Sequence, residues 1–308
     1  MPTRRPVGLI GVGLMGEVYA RRLIAAGFGV IGFDIEPTRN EQLLQIGGRV
    51  GSLPEIARDC DPIVIAVFST DQAEDVVERS LVPAAAGKIV ICTSTCDPDR
   101  LAALGARVAK QLRFLEAPVS GTSAQVRQGD GVGLIGGDAS IAQAAAPIFD
   151  TLFPRRFHIG KIGDGGRAKL AVNLILGLNR LALAEGLVFA ERLGLDETAF
   201  LHVARLSAAA SQVMDTKGPK MVARDFAPEG RVRQTLQRCA PDDRAGAKGG
   251  ARITASHRSR RGAGGLSAPW RRRTGQQHRH RRNPPSSVVT NRLPEFSLLV
   301  RLELGKFG

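Results

Sequence analysis

Apolar and polar positions along residues 1–230 form blocks that predict β-strands and α-helices in turn. Short apolar runs predict four strands, and helical stretches lie between them: Val7–Gly11, Gly29–Phe33, Ile63–Phe68 and Lys88–Cys92. Strands that alternate with helices are typical of a parallel sheet covered on both faces. We therefore expect an α/β fold, with a doubly wound Rossmann-type sheet over residues 1–160.

A different pattern begins after residue 160. The glycine-rich segment Gly160–Gly166 leads into a helical stretch that continues to about Leu193 and is apolar nearly all round. A helix of this kind is normally buried on every side, so we expect a buried central helix. Residues 161–236 are therefore predicted to form part of an all-α domain.

From about residue 236 the apolar periodicity ends, and the distribution of charge changes with it. Residues 231–308 contain 18 of the 43 Lys and Arg residues but only 4 of the 29 Asp and Glu residues, so they carry the whole formal net charge of +14. A segment rich in Arg, Gly and Pro cannot bury enough apolar surface to fold. We expect residues 237–308 to be a disordered basic tail and residues 1–236 to hold the function.

Composition limits the class of protein further. No uncharged apolar stretch of eighteen or more residues occurs, and Met1–Pro6 leads into a strand without an apolar signal region. These observations predict a cytoplasmic protein that does not contact a membrane. Cys60, Cys92, Cys96 and Cys239 follow no zinc or disulfide spacing, so we expect free thiols and no metal site.

The first predicted strand is followed by a glycine-rich turn, Gly11-Val12-Gly13-Leu14-Met15-Gly16, and then by a predicted helix. Gly11 permits the tight turn, Gly13 lets the backbone approach a pyrophosphate, and Gly16 lets helix and strand pack closely. Phosphates bind readily at the N-terminus of such a helix. The turn therefore predicts a dinucleotide site formed by Gly11, Gly13, Leu14, Met15 and Gly16.

The second predicted strand ends in Asp34, about twenty residues downstream, where an acid accepts hydrogen bonds from the adenosine ribose hydroxyls. Because an acid repels a 2′-phosphate, NAD is the predicted cofactor; NADP is the alternative, since Arg39 lies close in sequence. We expect Phe68 and Ser69 to line the adenosine side of the same cleft and Thr95 the nicotinamide side. As strand-to-helix connections, Ser69 and Thr95 are equally suited to capping helices.

Two later segments carry candidate chemistry. Leu115–Thr122 ends a strand in small residues whose backbone N–H groups suit a carboxylate. Lys169 and Asn173 are four residues apart in the long helix, so they lie on one face, one turn apart. Polar side chains on an apolar helix are costly unless they meet polar partners, so this pair predicts a functional site in a cleft.

With these motifs in place, the chain resembles the β-hydroxyacid dehydrogenase family, which includes 3-hydroxyisobutyrate, tartronate semialdehyde and glyoxylate/succinic semialdehyde enzymes. The resemblance covers residues 7 to about 235. It rests on four segments in order: the Gly8–Gly16 turn, Thr93-Ser94-Thr95 with Pro98, Glu116-Ala117-Pro118-Val119-Ser120-Gly121, and Gly163–Asn173. Two positions depart from the usual pattern. Glu116 replaces an Asp, and Thr122 replaces a second glycine, which narrows the expected pocket for a substrate carboxylate.

The resemblance implies an oxidoreductase that transfers hydride between the nicotinamide and a small β-hydroxyacid or its semialdehyde. It implies that Lys169 is the catalytic acid/base, a role that suits a lysine because burial disfavours its charged form. Asn173 would orient the substrate, Thr95 would lie between nicotinamide and substrate, and the carboxylate would be held by Ser120, Gly121 and Thr122. Subunits of the family pair through the long helix, which implies a homo-oligomer for an intact version of this chain.

The family also has two motifs after residue 236, Lys-Asp-x-x-Leu and Leu-Asp-Asn-Ser-x-x-Ile, that are absent here as written. Gly275–Arg281 can be encoded GGA CAA CAG CAC CGT CAT CGC, which one base later reads Asp-Asn-Ser-Thr-Val-Ile. The same shift turns Trp270–Thr274 into a glycine run followed by Leu, and Arg238–Arg244 into Asp-Val-Arg-Leu-Met-Ile-Glu. Three matches in one frame predict a frameshift near Leu236 or Gln237 that removes most of the helical domain and leaves the chain inactive.

Two other interpretations stay open. In the first, the chain is a nonenzymatic Rossmann module whose basic segment, residues 237–308, binds nucleic acid through the phosphates. A segment with that role has no reason to encode the family's motifs one base away, so nucleic acid is not the expected partner. In the second, the same fold reduces imines or another carbonyl, and a substrate panel separates this from hydroxyacid chemistry.

Overall fold

The computed structural model describes residues 5–225. The predicted basic tail, residues 237–308, and the end of the predicted helical domain lie outside the described residues. Within residues 5–225, nine strands form one sheet: β1 Val7–Ile10, β2 Val30–Phe33, β3 Arg49–Val50, β4 Ile63–Ile65, β5 Ile89–Cys92, β6 Arg113–Glu116, β7 Val119–Ser120, β8 Val132–Gly136 and β9 Arg155–Gly160.

Helices fill the connections between the strands and follow the last of them. They are α1 Leu14–Ala25, α2 Pro37–Gln45, α3 Leu53–Asp59, α4 Thr70–Asp75 with a π-helical continuation Val76–Leu81, α5 Pro98–Val108, α6 Ser123–Gln128, α7 Ala139–Ala144, α8 Ala146–Leu152, α9 Asp164–Arg192, α10 Glu197–Leu206, α11 Gln212–Thr216 and α12 Gly218–Val222.

The sheet confirms the predicted doubly wound fold. Its first six strands lie in the order β3-β2-β1-β4-β5-β6, and all five pairings among them are parallel. This is the strand order of dinucleotide-binding folds, in which ligands bind where the order reverses, here between β1 and β4. Beyond β6, β8 pairs antiparallel with β6 and β7 and parallel with β9.

Successive strand residues point to opposite faces, so each face of the sheet has its own core. In β1, Leu9 belongs to the cluster covered by α1 and α8, whereas Ile10 belongs to the cluster covered by α3 and α5. Tyr19 and Phe153 meet edge to face in the first cluster, with ring centroids 5.6 Å apart. Two separate cores hold the sheet from both sides and fix the loops at its carboxyl edge.

One predicted strand, Ile63–Phe68, extended too far. The observed strand β4 stops at Ile65, because the chain then turns into α4. The N–H of Phe68 donates to Oε1 of Gln72 at 2.9 Å, and the Ser69 hydroxyl accepts the N–H of Gln72 at 3.2 Å. These two local hydrogen bonds start a helix, so the chain leaves the strand pairing at this point.

The expectation that the long helix is buried all round is wrong for the part of the chain that the structure describes. Residues 171–182 in the centre of α9 contain no buried residue, and Ile175 is 58% exposed. The buried residues of α9 lie at its two ends, where the first turn packs against the sheet and Leu183 and Leu187 pack against α10 and α11. By length and composition alone, α9 is long and apolar enough to cross a membrane, a property that it shares with core helices of soluble proteins.

The glycine turn after β1 offers a matched pair of substitutions that tests this packing. A Cβ on Gly16 would collide with the carbonyl oxygen of Gly11, whereas a Cβ on Gly13 would meet no atom within 4 Å. We expect Gly16→Ala to lower the free energy of unfolding by about 1–3 kcal/mol, because the backbone has to shift. Gly13→Ala should change it by less than about 0.5 kcal/mol. Urea unfolding measures both, and equal losses in the two variants would contradict the packing.

Candidate functional site

A cleft of about 530 Å³ opens at the carboxyl edge of the sheet, where the strand order reverses. Its walls come from the glycine turn, from the loops after β2, β4 and β5, and from α9. The structure thus brings together parts of the chain that are more than 150 residues apart in sequence. Nine of the predicted site residues line it: Gly11, Gly13, Leu14, Met15, Asp34, Phe68, Thr95, Gly121 and Lys169.

The glycine turn leaves room for a phosphate group. Gly11 has φ +93°, which favours glycine, and brings the turn against Ala66. Gly13 faces open space and is the N-cap of α1, and among the described residues no side chain caps this helix. The N–H groups at the start of α1 therefore face the cleft, where a pyrophosphate fits. Gly16 is buried beneath the turn and serves the packing of helix on strand.

Asp34 lies half-buried at the end of β2, on the rim of the cleft. Its Oδ2 accepts the N–H of Val12 at 2.7 Å, which ties the carboxylate to the glycine turn. Asn40 holds the backbone of Asp34 twice: its Oδ1 accepts the Asp34 N–H at 2.9 Å and its Nδ2 donates to the Asp34 carbonyl at 2.8 Å. Arg39 bonds Oε1 of Gln42 at 2.9 Å. The acid, and not the arginine, therefore faces the predicted ribose position.

Phe68 and Ser69 were both predicted to line the adenosine side of the cleft, but only Phe68 is on its wall. Phe68 is 54% exposed and lines the cleft. Ser69 caps α4, so for this residue the structure shows the helix-cap alternative. Gln72, which lies on the cleft wall, was missed because a glutamine in the first turn of a short helix has no distinctive sequence signal.

The loop after β5 is held in place by the side-chain hydroxyl groups of Thr93 and Ser94. Thr93 Oγ1 donates to the Ile65 carbonyl and Ser94 Oγ to the Val67 carbonyl, both at 2.8 Å. Thr95 is partly exposed and lines the cleft. Tyr19 of α1 also lines the cleft, although the sequence did not predict this residue as part of the core or the site. Burial raises the pKa of Tyr19, and its side chain hydrogen-bonds with Thr93.

Of the three residues predicted to hold a carboxylate, only Gly121 lies on the wall of the cleft. Ser120 is in β7 and pairs with Val132 of β8. Thr122 caps α6: its N–H donates to Oε1 of Gln125 at 2.8 Å, and its hydroxyl accepts the N–H of Gln125 at 3.2 Å. The Thr-x-x-Gln spacing is a capping box, so this arrangement had a readable signal in the sequence.

Lys169 is 6% exposed, although its side chain is one of those that line the cleft. Asn173 follows one turn later on α9 and is half-buried. Its Nδ2 is buried and has no hydrogen-bond partner among residues 5–225. A buried N–H group without a hydrogen-bond partner costs about 1–3 kcal/mol of stability. A hydrogen bond to a substrate oxygen would remove this cost. Lys169 thus lies in the cleft that the sequence predicted for the pair, whereas Asn173 is not one of the residues that line it.

Glu116, at the end of β6, is 1% exposed and holds the start of α9. Its Oε1 accepts the N–H of Gly163 at 2.5 Å and that of Gly165 at 2.8 Å, and its Oε2 accepts the N–H of Gly166 at 3.2 Å. Burial raises the pKa of Glu116 to about 7, the three N–H bonds oppose this rise, and Asp164 adds to it. In the sequence, Glu116 is recognisable only as a departure from the family pattern, and its contact with the start of α9 was not predicted.

The described part of the chain shows no group of three or more His, Cys, Asp or Glu residues placed to hold a metal ion. Cys60, Cys92 and Cys96 are buried free thiols, as predicted. Cys239 lies outside the described residues.

The raised pKa of Glu116 predicts how stability depends on pH. The folded value, about 7, is higher than the ordinary value of 4.5, so this group's contribution to stability is present below pH 4.5 and is lost as pH rises through 7. The loss is about 3 kcal/mol. We expect the stability of the unmodified chain, relative to Glu116→Gln, to fall by about that amount between pH 4.5 and 8 in urea unfolding. A difference that does not vary with pH would mean that Glu116 titrates normally.

Two family models match the chain on either side of residue 160. Residues 6–160 match the NAD binding domain of 6-phosphogluconate dehydrogenase. Residues 163–237 match the NAD-binding domain of NADP-dependent 3-hydroxyisobutyrate dehydrogenase. The first match alone covers half of the chain, and together the two extend over the cleft and all of α9.

Known proteins agree with these models. Glyoxylate/succinic semialdehyde reductase 2, chloroplastic, of Arabidopsis thaliana is 30% identical over 225 residues, which are 70% of this chain and 62% of that relative, so the chain spans less than two thirds of its length. L-threonate dehydrogenase of Cupriavidus necator is 31% identical over 230 residues, 73% of this chain and 77% of that relative.

A solved structure of Mycobacterium tuberculosis 3-hydroxyisobutyrate dehydrogenase with L-serine has a TM-score of 0.79 at 23% identity, and the match covers 86% of this chain and 94% of that one. This likeness shows the fold. The matched models and relatives place an NAD(P)-binding domain and a 3-hydroxyisobutyrate dehydrogenase-type domain in one chain. The chain therefore belongs to the β-hydroxyacid dehydrogenase family of NAD(P)-dependent oxidoreductases, whose named members act on hydroxyacids or semialdehydes.

Proposed function

We propose that this chain is an NAD-dependent β-hydroxyacid dehydrogenase in lineage, with Lys169 as the acid/base. The observation that carries the proposal is the place of Lys169, which is nearly fully buried and yet lines the same cleft as Gly13 and Thr95. A lysine in that position meets both the predicted nicotinamide side and the predicted carboxylate side of the cleft.

In this proposal the bound nicotinamide supplies the hydride acceptor or donor, and the protein handles the proton. Lys169 takes the proton from the substrate hydroxyl during oxidation and returns it during reduction. Nδ2 of Asn173, which has no hydrogen-bond partner among residues 5–225, orients the substrate oxygen. The N–H of Gly121 faces the position of the substrate carboxylate. Ser120 and Thr122 hold the strand and helix on either side of it.

Asp34 supports a preference for NAD over NADP, because its carboxylate is fixed at the predicted ribose position and repels a 2′-phosphate. We expect NADH to bind the full chain at least about tenfold more tightly than NADPH, since opposed like charges cost several kcal/mol. Gly13→Ala should weaken both without unfolding the protein, because its Cβ fills the phosphate position. Fluorescence titration measures all four affinities. Tighter NADPH binding would show that Arg39 overrides Asp34, and no binding of either would exclude the site.

We also propose that the frame shifts near Leu236 or Gln237. The match to the second family model ends at residue 237, which supports this position, and the three displaced motifs support the direction of the shift. The exposed centre of α9 is apolar surface that the helices encoded out of frame, or a second subunit, would cover. The chain as given is therefore expected to be poorly soluble and essentially inactive.

The role of Lys169 is tested in a chain whose frame is restored near codon 236. We expect that chain to be a soluble oligomer with NAD-linked hydroxyacid oxidation, and Lys169→Ala to lower its kcat by about 10²-fold or more with little change in NADH affinity. Asn173→Ala should lower kcat less. Near-normal turnover of Lys169→Ala on every substrate would overturn the mechanism. A stable, fully active 308-residue chain would overturn the frameshift.

Two outcomes of these experiments would favour the other interpretations. DNA affinity that falls steeply with salt and disappears on deletion of residues 237–308 would favour a nonenzymatic Rossmann module with a nucleic-acid-binding tail. Turnover of imines, but of no hydroxyacid, by the frame-restored chain would favour an imine reductase. Cytoplasmic location and homo-oligomeric assembly belong to the main proposal.

A further inference from the structure

We propose that Glu116 is a positioning residue for Lys169: it docks the start of α9 onto the sheet and thereby sets where Lys169 enters the cleft. This inference rests on the proposed role of Lys169. It assigns to Glu116 a function in the reaction although the carboxylate itself touches neither substrate nor cofactor.

A single side chain, that of Glu116, binds several of the N–H groups at the start of α9. The N–H groups that begin a helix have no acceptor within it, so an outside acceptor decides where the helix starts. Glu116 supplies three such bonds, two through Oε1 to Gly163 and Gly165 and one through Oε2 to Gly166. With both oxygens engaged, α9 cannot slide or rotate at this end without losing a bond.

The backbone also fits closely around the Glu116 carboxylate. A Cβ on Gly136 of β8 would collide with Oε1 of Glu116, and a Cβ on Gly165 would collide with the carbonyl oxygen of Leu134. A Cβ on Gly166 would lie 3.4 Å from Oε2 of Glu116. The absence of side chains at these glycines lets the helix approach the sheet until the carboxylate fills the space between them.

Lys169 lies only a short distance along α9 from this contact. Lys169 is four residues after Gly165, about 6 Å along a rigid helix, so a shift of the first turn is passed on to it. A misplacement of about 1 Å at a reacting group costs on the order of 10²-fold in rate. Arg167 also ties this turn, to Asp164 at 2.7 Å and to Asp99 at 2.8 Å, but these pairs are largely exposed and hold weakly.

The experiment compares the unmodified 308-residue chain with Glu116→Gln, Glu116→Asp and a control, Asp196→Asn, which alters the N-cap of α10. Amide hydrogen exchange reports the docking of Gly163, Gly165 and Gly166. Trace acetylation by acetic anhydride, mapped by mass spectrometry, reports how well NADH protects Lys169, and fluorescence titration reports the affinity for NADH.

In Glu116→Gln, we expect the Gly166 amide to exchange at least about tenfold faster, because the new amide NH₂ faces its N–H where Oε2 accepted it, whereas Oε1 still accepts the N–H groups of Gly163 and Gly165. NADH protection of Lys169 should fall although NADH affinity stays within about threefold, since Lys169 moves while the glycine turn does not. Glu116→Asp, which keeps both acceptor oxygens, should restore part of the protection. The control, Asp196→Asn, should behave as the unmodified chain does.

Full protection of Lys169 in Glu116→Gln would overturn the positioning role. If NADH fails to protect Lys169 even in the unmodified chain, the proposed function fails. The hydrogen-exchange data then still test whether Glu116 docks the start of α9 onto the sheet. If Glu116→Gln does not fold, the unmodified chain decides alone: the amides of Gly165 and Gly166 must exchange more slowly than those of Leu14 and Met15 at the uncapped start of α1. Equal rates would overturn the proposal.

Discussion

The contact between the Glu116 carboxylate and the start of α9 joins the sheet to the helices that follow it. Burying a charge is costly, and the raised pKa of Glu116 expresses that cost. Three backbone donors offset part of it, and they come from the segment that leads to Lys169. The strand end, the glycine-rich entry of α9 and the wall of the cleft are therefore one structural unit.

At the other side of the cleft, close packing without side chains has a similar effect. Gly16 lets α1 press against the turn at Gly11, and the uncapped start of α1 then faces the cleft. The phosphate side of the predicted site is thus formed by backbone N–H groups at the start of α1 that glycines bring forward. Such donors are fixed by the fold and need no side-chain reorganisation to bind an anion.

The sequence allowed prediction of those features that depend on local pattern. The alternation of strands and helices, the glycine turn and Asp34 are read from neighbouring residues, and the structure brings them to one edge. Thr122 was assigned to a carboxylate site although its spacing to Gln125 already indicated a cap. Glu116 could not be read in this way, since its three partners lie 47 to 50 residues away. The exposed centre of α9 could not be predicted from the sequence either. Composition shows that an apolar helix has to be covered, but it does not show which part of the protein covers it.

Asp34 holds the rim of the cleft in two ways. Asn40 fixes its main chain with two hydrogen bonds, and the carboxylate of Asp34 itself accepts the N–H groups of Val12 and Glu36. A substitution that removes this carboxylate would therefore release the glycine turn as well as change the charge at the rim. Cofactor choice and the shape of the phosphate loop are coupled in this architecture, so a change of preference calls for compensation near Val12 as well as substitution of the acid.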